Sequence, residues 1–416
     1  MTTAISQLPA VVVLRSGHHG GLGIMRSLGR LGVPVYAVDA DRWESGFSSR
    51  YCRGRFVFNT AAVSPEQSIA WLLETGHRIG GRPILIPTTD SGAIWVAENA
   101  AALEECYSMP QQDPTLLRLL SDKSRMQALA RQNGVPTPQS MVPRSREDVD
   151  RYLDTAVFPV IAKATDTDRF RRYTGGTKFV LHSARELIAL YAKASDGGEP
   201  AFLVQEFIPG DDWMFDGYFD HNSQCLFGLT GKKIRRFPAK TGVTSLGICL
   251  PNETVEKTTT GFMKAIRYRG ILDIGYRRDR RDGQYKVLDV NPRIGCTFRL
   301  FTSADGMDVA RALYLNLTGQ PVPPAQIVDG RKWIVEDFDL FSSLRTLMDG
   351  ALKPKEWLGS LRGTRETACF AWDDPLPGLA VALADCCEMA RWLRCRLRSR
   401  SGANDTQASP SSASAR

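Results

Sequence analysis

The segment from Leu288 to Gly295 constrains the fold and chemistry of this chain more than any other. Its residues, LDVNPRIG, predict a strand that ends in a carboxylate, an amide and a guanidinium. Asp289 and Asn291 are two residues apart, so an extended backbone points both side chains to one face. Their oxygens suit Mg²⁺, which in proteins is often bound by substrate phosphates as well. Arg293 follows on the same face, where it could bind a phosphoryl or carboxylate group. An edge strand that runs into a surface turn is the alternative.

Three further motifs precede this segment along the chain. Residues 160–164 predict a short apolar strand that carries Lys163 near its end. Gly175 and Gly176 lie between strand-like runs and predict a flexible loop whose backbone amides can approach phosphate oxygens. Residues 202–210 predict another strand, which ends in a Pro-Gly turn. Along the chain the motifs therefore occur in a fixed order. A strand that carries a lysine comes first, then a glycine loop, then a strand with a polar end, and last the sequence D-x-N-P-R.

In this order the motifs of residues 115–320 resemble the ATP-grasp superfamily. The Asn-Pro-Arg-Ile-Gly ending looks most like that of carboxylate–amine ligases, close to D-aspartate ligase and the carbamoyl-phosphate synthase large chain. At 416 residues the chain is far too short for the latter and lacks its duplicated half.

Residues 11–120 alternate between strand and helix patterns, with strands at 11–14, 35–38 and 84–87 and a helix over about 22–31. This alternation predicts a parallel, doubly wound sheet. Ligands of such sheets bind beyond the carboxyl ends of the strands.

A dinucleotide site is the alternative for this region. Several glycines follow the first strand, and Asp39 lies where an acidic ribose ligand would. The spacing is not G-x-G-x-x-G, however, and two histidines intervene. The resemblance implies instead a Rossmann-like domain that precedes the nucleotide-binding part and helps to shape the acceptor site.

The resemblance implies a fold class of mixed α/β and α+β, with several domains. An N-terminal Rossmann-like parallel sheet would be followed by a two-lobed ATP-grasp fold and a C-terminal helical extension. The expected divisions are 1–120 for the Rossmann-like domain, 121–204 for the small lobe with its linker helix, 205–325 for the large lobe with the metal strand, 326–400 for the extension, and 401–416 for a disordered tail.

The resemblance also implies which residues bind the ATP phosphates. Lys163 would contact them, as would Lys123 at the start of the preceding helix, and the loop Gly175-Gly176-Thr177 would close over them. Solvated lysines and an ordinary hairpin turn are the alternatives.

The nucleoside would bind at the strand end that follows. The Gln205 side chain would accept a hydrogen bond from the exocyclic amine of adenine, since an amide oxygen is a hydrogen-bond acceptor. Glu206 and Ile208 would offer backbone contacts, and Asp212 would hold the ribose. A solvated acidic turn is the alternative for Asp212.

The expected ions are Mg²⁺ or Mn²⁺, held by Asp289 and Asn291. Relatives usually carry another metal carboxylate on the preceding strand, and counting back across the hairpin places that position at Gly275. Asp273 lies two residues earlier, on the same face, and is expected to supply the missing oxygen, directly or through water. A lower number of metal ions is the alternative.

Basic residues that remain would bind an anionic substrate. Lys240 belongs to a cluster that relatives place beside the reacting phosphate, and Arg293 and Arg299 follow the metal strand. We expect these three residues to serve catalysis. A solvated charge run is the alternative for the cluster, which comprises Lys232, Lys233, Arg235, Arg236 and Lys240.

The implied reaction is the ATP-dependent joining of a carboxylate to an amine or amino acid through an acyl phosphate, with release of ADP and phosphate. Two rivals remain. The glycine at position 275, where relatives usually carry a metal carboxylate, fits a protein that binds a nucleotide but does not catalyse a reaction with it. A predicted helix over 378–400, with an apolar stripe and arginines at its end, fits a factor that associates with a membrane or a partner.

The composition further limits the expected partners and the expected compartment of this protein. The formal charge is +8, but acids and bases are mixed and no nucleic-acid module is recognisable, so nucleic acid is not an expected partner. Nine scattered cysteines without a C-x-x-C pair favour reduced thiols in a cytoplasm. No apolar run approaches the about 20 residues of a membrane span. The expected partners are small molecules and, by resemblance, a second copy of the chain.

Overall fold

The computed structural model describes residues 8–196, 198–238 and 242–387. It is a mixed α/β structure in which helices pack against three sheets of four, seven and four strands. The predicted domain boundaries stay predictions, and each sheet is described in turn.

The first sheet is parallel throughout, as the alternating pattern predicts, and its strand order is β3-β2-β1-β4. Its strands are β1 (Val11–Leu14), β2 (Val35–Asp39), β3 (Cys52–Val57) and β4 (Ile84–Pro87). The helices of this region are α1 (His19–Gly29), α2 (Pro65–Ile79), α3 (Asp90–Glu98), α4 (Ala100–Leu103) and α5 (Pro114–Ser121), with a 3-10 turn at Ser45–Ser48.

Helix α1 begins at His19, about three residues before the start predicted near residue 22. Gly20 and Gly21 lie inside the first helical turn. A Cβ on Gly21 would come within 2.3 Å of the Ser16 carbonyl oxygen. Glycine is needed here for close packing of the helix on the end of β1, not to reverse the chain.

The second sheet is antiparallel, with the order β5-β8-β6-β7. Its strands are β5 (Ser140–Met141), β6 (Val160–Ala164), β7 (Lys178–Leu181) and β8 (Phe202–Glu206). The helices before and around it are α6 (Lys123–Gln132), α7 (Arg146–Leu153), α8 (Thr167–Thr174) and α9 (Ala184–Ser195). Strand β6 agrees with the sequence prediction.

The prediction of a strand-like run before Gly175 is wrong, because that run forms helix α8. The Asp166 side chain caps its start by accepting a hydrogen bond from the Arg169 backbone N–H. Gly175 ends the helix in the left-handed conformation, at φ 78°. The glycine pair therefore joins a helix to a strand.

The third and largest sheet has the order β13-β12-β9-β10-β11-β14-β15. Its strands are β9 (Gly210–Phe219), β10 (Cys225–Phe237), β11 (Val243–Cys249), β12 (Gly270–Asp279), β13 (Tyr285–Asn291), β14 (Lys332–Ile334) and β15 (Thr364–Thr367). Helices α10 (Glu253–Ala265) and α11 (Val309–Leu317) pack against β9 and β10, and a 3-10 turn spans Phe298–Leu300.

One hydrophobic core joins the first sheet to the third. Met214 and Tyr218 on β9 pack in the same cluster as Ile24 of α1 and Leu313 of α11. The opposite face of β9 turns Phe215 to a second cluster that includes part of α10. This shared core holds the carboxyl ends of the parallel strands against the end of β13.

The C-terminal part of the described chain extends the large sheet. Strands β14 and β15 lie here with α12 (Glu336–Met348), α13 (Pro354–Leu361) and a helix over 376–387. That last helix agrees with the start of the one predicted at 378–400, while residues 388–416, with the predicted tail, lie outside the described residues. Among the described helices none is long and apolar enough to cross a lipid bilayer.

A buried ion pair ties this C-terminal part to α1. The Arg26 guanidinium contacts the Asp374 carboxylate at 2.9 Å, with both side chains almost fully buried. Asp374 also accepts hydrogen bonds from the Ser49 hydroxyl at 2.7 Å and the Arg50 backbone N–H at 2.9 Å.

We expect Asp374→Ala to lower the free energy of unfolding by about 3–5 kcal/mol, because it leaves a buried guanidinium without its counter-charge. Urea unfolding followed by circular dichroism measures this change. The neighbouring Asp373 is about half exposed and pairs with Arg30 at the surface, so Asp373→Ala serves as the control, with an expected loss of about 1 kcal/mol or less. Equal losses in the two variants would contradict this account of the ion pair.

Candidate active site

Two joined cavities lie between the second sheet and the large sheet. Their volumes are about 810 and 510 Å³. The residues that line both are Lys163, Lys178, Asp212, Lys233, Arg236, Arg277 and Leu288. Five of these seven side chains are cationic, so the shared region is built to receive an anion.

Lys163 and Lys178 face each other across the antiparallel strands β6 and β7. Burial, together with the nearby charges of Lys178 and Lys123, lowers the pKa of Lys163 to about 7. Burial likewise lowers the pKa of Lys178 to about 8, with a contribution from Lys123. Like charges held opposite one another destabilise a strand pair, so a bound polyanion would relieve this repulsion. Lys123 lines the smaller cavity as the first residue of α6.

The predicted ribose ligand, Asp212, is buried at the floor of both cavities. Its carboxylate pairs with Arg277 at 2.7 Å and also with Arg236. The sequence reasoning did not identify Arg277 or Lys178, because only the register of the strand pairs places them in the site. Lys178 lies opposite Lys163, and Arg277 lies opposite Asp212.

The strand end predicted to hold adenine closes one side of the larger cavity. The Gln205 amide oxygen accepts a hydrogen bond from the Lys163 ammonium at 2.5 Å. Its amide nitrogen is buried without a partner among the described residues. Glu206 pairs with Arg281, and the Ile208 carbonyl accepts a hydrogen bond from Arg277 at 3.2 Å.

Apolar side chains form the walls of this cavity beside Gln205. They are Ile161, Val180, Ile208 and Leu288. A slot with apolar walls and an unpaired amide at its end suits a planar heterocycle with hydrogen-bonding edges.

The predicted glycine loop lies at the mouth of the smaller cavity. Thr177 lines that cavity directly. Gly175 ends helix α8, and a Cβ on Gly176 would meet the Phe179 ring at 2.7 Å. The loop is therefore packed against β7 at its second glycine.

The three predicted metal ligands lie on adjacent strands in register. Gly275 pairs with Asp289 and Asp273 pairs with Asn291, so the count across the hairpin agrees with the structure. The Asn291 amide nitrogen donates to the Asp273 carboxylate at 3.2 Å. This contact turns the Asn291 amide oxygen away from Asp273, and Asp289 lines the smaller cavity.

Asp216 extends this group to a third strand, because it pairs with Asp273 in the β9–β12 ladder. Its side chain is fully buried, and neither carboxylate oxygen has a partner among the residues that the structure describes. Burial raises the pKa of Asp216 well above its usual value, and the charge of Asp273 adds to the effect. No local pattern distinguishes Asp216, which shares the site only through long-range strand pairing.

Residues of this group fit a Mg²⁺ ion bound together with phosphate oxygens. Asp289 and Asn291 offer a carboxylate and an amide oxygen, the donor types that Mg²⁺ prefers. The Asp216 carboxyl group adds two buried oxygens that have no hydrogen-bond partner among the described residues. A Cβ on Gly275 would meet nothing within 4 Å, so open space stands where relatives would place a further ligand.

Arg293 joins the end of β13 to the first sheet. Its guanidinium donates to the Asp90 carboxylate at 3.0 Å and lies 4.0 Å from that of Asp273. His18, just before α1, lies 3.6 Å from the Cys296 sulfur, and burial together with Arg293 lowers the pKa of His18. These groups lie where the carboxyl ends of the parallel strands meet the metal strand.

The other basic residues predicted for substrate are dispersed. Arg299 is buried in ion pairs with Asp308 and Glu366 and lines neither cavity. Lys240, at the end of the predicted basic cluster, lies outside the described residues. Of the rest of that cluster, Lys233, Arg235 and Arg236 line the cavities. Arg235 also pairs with Asp339, and Lys232 pairs with Asp211.

Solved structures share this arrangement of sheets. The N5-carboxyaminoimidazole synthetase of Staphylococcus aureus, solved with ADP, matches with a TM-score of 0.58 and 14% identity over 78% of this chain and 81% of its own. The biotin carboxylase domain of the Hydrogenobacter thermophilus 2-oxoglutarate carboxylase, solved with MgADP, matches with a TM-score of 0.57 and 17% identity over 77% and 73%. The fold is that of the ATP-grasp enzymes.

An L-amino acid ligase from Bacillus licheniformis shares this ATP-grasp fold, with a TM-score of 0.54 and 16% identity over 75% of each chain. Among curated proteins, the D-aspartate ligase of Enterococcus faecium is 25% identical over 240 residues, which are 55% of this chain and 57% of the relative. The carbamoyl phosphate synthase large chain of Methanothermobacter thermautotrophicus is 24% identical over 47% of this chain and 19% of its own. The chain thus matches less than two thirds of either curated relative. No protein-family model matches it.

The lowered lysine pKa values predict that ATP affinity depends on pH. A bound polyphosphate favours the charged forms of Lys163 and Lys178, so ATP binding should be strongest below about pH 7. The pKa values of these lysines in the free protein are about 7 and 8. As the pH rises through these values, ATP binding should be accompanied by uptake of protons. Each deprotonated lysine should then weaken binding by up to about tenfold per pH unit.

Isothermal titration calorimetry at pH 6.5 and 8.5, in buffers of different ionisation enthalpy, measures both effects. Lys178→Arg keeps a charged group at β7 and should reduce the proton uptake. An affinity that stays constant over this range would refute the prediction.

The open space at Gly275 predicts that a metal ligand can be added there. Gly275→Glu places a carboxylate on the strand opposite Asp289, at a position that lines the smaller cavity and where a Cβ meets nothing within 4 Å. We expect Mn²⁺ to bind about tenfold more tightly, a gain of about 1.4 kcal/mol, in the presence of a non-hydrolysable ATP analogue. Electron paramagnetic resonance of free Mn²⁺ measures the affinity. Gly275→Ala is the matched control, and equal affinities in the two variants would contradict a metal site at this position.

Proposed function

We propose that this chain is an ATP-dependent ligase that joins a carboxylate to an amine or amino acid and releases ADP and phosphate. The observation that carries the proposal is the juxtaposition of two groups in one site. Buried lysines face each other beside an apolar slot, and a row of carboxylate and amide side chains lies next to them on the large sheet. A nucleoside polyphosphate with its divalent ion fits both groups at once.

The nucleotide would bind with its base in the apolar slot and its phosphates among the lysines. Lys163, Lys178 and Lys123 approach this region from the second sheet and α6, whereas Arg277 and Lys233 approach from the large sheet. Mg²⁺ would lie at Asp289 and Asn291 and would neutralise phosphate charge. Asp273 would hold the Asn291 amide so that its oxygen faces the ion.

The first chemical step would activate the carboxylate substrate. Arg293 is placed to bind a carboxylate beyond the phosphates, because its guanidinium is held between Asp90 and Asp273. A carboxylate oxygen would attack the γ-phosphorus, the bond from that phosphorus to the bridging oxygen would break, and ADP and an acyl phosphate would result.

The second step would transfer the acyl group to nitrogen. The amine attacks the acyl carbon, the carbon–oxygen bond to phosphate breaks, and the nitrogen loses a proton as the amide forms. The protein forms no covalent intermediate in this scheme, and its contribution lies in positioning and charge neutralisation, which can supply about 7–11 kcal/mol of the barrier. The likeness to D-aspartate ligase and to an L-amino acid ligase supports this choice of reaction.

The test is Mg²⁺-dependent ADP release from ATP across a panel of carboxylic acids, amino acids and amines. We expect release to require one acid and one amine, and to fall by at least about a hundredfold in Lys163→Ala and Asp289→Ala. Lys257→Ala and Asp282→Ala remove the same charges at exposed positions outside both cavities, so they are the matched controls. Similar losses in these controls would refute the assigned roles.

The alternative of ATP binding without turnover is supported by the missing ligand at Gly275. It predicts tight ATP binding in calorimetry with no ADP from any mixture in the panel. ADP release in Gly275→Glu under the same conditions would show that the missing ligand is the cause.

A further inference from the structure

Apolar side chains that are exposed to solvent cluster near the C-terminal end of the described chain. We call them the tryptophan–leucine surface. Its members and their exposed fractions are Trp43 at 79%, Trp372 at 92%, Leu376 at 58%, Leu379 at 53% and Leu383 at 67%. Single exposed apolar residues are ordinary in proteins, but three leucines on one helical face, preceded by an exposed tryptophan, are typical of a surface that binds something.

Hydrogen bonds hold the two loops of this surface together. The Arg50 guanidinium donates to the Asp373 carbonyl at 3.2 Å, and the Asp374 carboxylate accepts from the Ser49 hydroxyl at 2.7 Å. The buried Arg26 fixes Asp374 from the other side. The segments that carry Trp43 and Trp372 are therefore anchored to the same buried ion pair, so the two indoles sit on ordered backbone.

The three leucines form one stripe of the helix over 376–387. Their spacing of three and four residues places them on one face. Val381, on another face, packs against the main hydrophobic core. The helix is thus attached by one side and turns its leucines outward.

Exposed arginines accompany the loops that carry the two tryptophans, together with the exposed acids Asp41 and Asp373. The Arg42 guanidinium lies over the Trp43 ring, 5.0 Å from its centroid. Arg50 is exposed, and so are Arg53 and Arg55 on β3, an edge strand of the first sheet. The sequence that follows the leucine stripe carries five more arginines, namely Arg391, Arg394, Arg396, Arg398 and Arg400.

We propose that the tryptophan–leucine surface binds the surface of an anionic lipid bilayer. Tryptophans favour the interface between headgroups and acyl chains, and leucines on one helical face can enter the acyl region. The arginines would meet anionic headgroups. A nucleic acid or an acidic polysaccharide would satisfy the arginines but offers no apolar phase for the leucines. The proposal is independent of the ligase reaction.

Co-sedimentation of the full chain with lipid vesicles tests it. We expect binding to vesicles of phosphatidylglycerol and phosphatidylcholine mixed in equal parts, and little binding to phosphatidylcholine alone. Raising the salt from 0.1 to 0.5 M should weaken binding severalfold, because the headgroup attraction is screened. Leu379→Asp with Leu383→Asp should weaken it by at least about tenfold, since two apolar side chains lose their burial.

Leu358→Asp, on α13, is the matched control because Leu358 is as exposed as the stripe leucines but lies outside the tryptophan–leucine surface. The Leu358→Asp variant should bind vesicles as strongly as the unchanged protein does. Trp372→Ser should bind vesicles more weakly than the unchanged protein and than Leu358→Asp. Equal binding by the stripe variant and the control would overturn the proposal, as would the absence of binding to anionic vesicles. A dimer in light scattering that only the stripe variant dissociates, together with no vesicle binding, would assign the surface to a second copy instead.

Discussion

The pairing of β9, β12 and β13 is the constraint on which the rest of the site depends. These antiparallel strands place Asp216, Asp273 and Asn291 side by side, and Gly275 opposite Asp289. A shift of one residue in either ladder would turn every one of these side chains to the opposite face, into the core beside α10. The hydrophobic alternation that buries residues such as Phe215 therefore also fixes where the oxygen ligands lie.

Charge is distributed unequally between the two walls of the site. Lysines line the wall formed by the second sheet, whereas the large sheet contributes both acids and arginines. A polyphosphate with its ion would neutralise both walls and so would connect two sheets that meet across a cavity. Burial is the main reason why the pKa values of Lys163 and Lys178 are lowered, and neighbouring cations lower them too.

Much of this arrangement was predictable from local patterns. Strand β6 with Lys163, the parallel first sheet, and the opposition of Gly275 and Asp289 all follow from short-range periodicity or from counting across a tight hairpin. Asp216 could not be found in this way, because its neighbour Asp273 comes from a strand far along the chain. Lys178 lies in the strand after β6, and only the register of that strand pair places it opposite Lys163. Arg299 follows the metal strand in sequence, yet a 3-10 turn buries it among Asp308 and Glu366.

The way in which the large sheet ends has a consequence for how this protein could be divided. Strands β14 and β15 cover β11, and Ser342 and Thr346 of α12 line the larger cavity. A shorter version that stopped before residue 326 would bare the backbone of β11 along its length and open one wall of the cavity. An uncovered strand edge pairs readily with other chains. The two lobes can therefore not be separated from the segment that follows them, because this segment contributes strands to the large sheet and residues to the cavity wall.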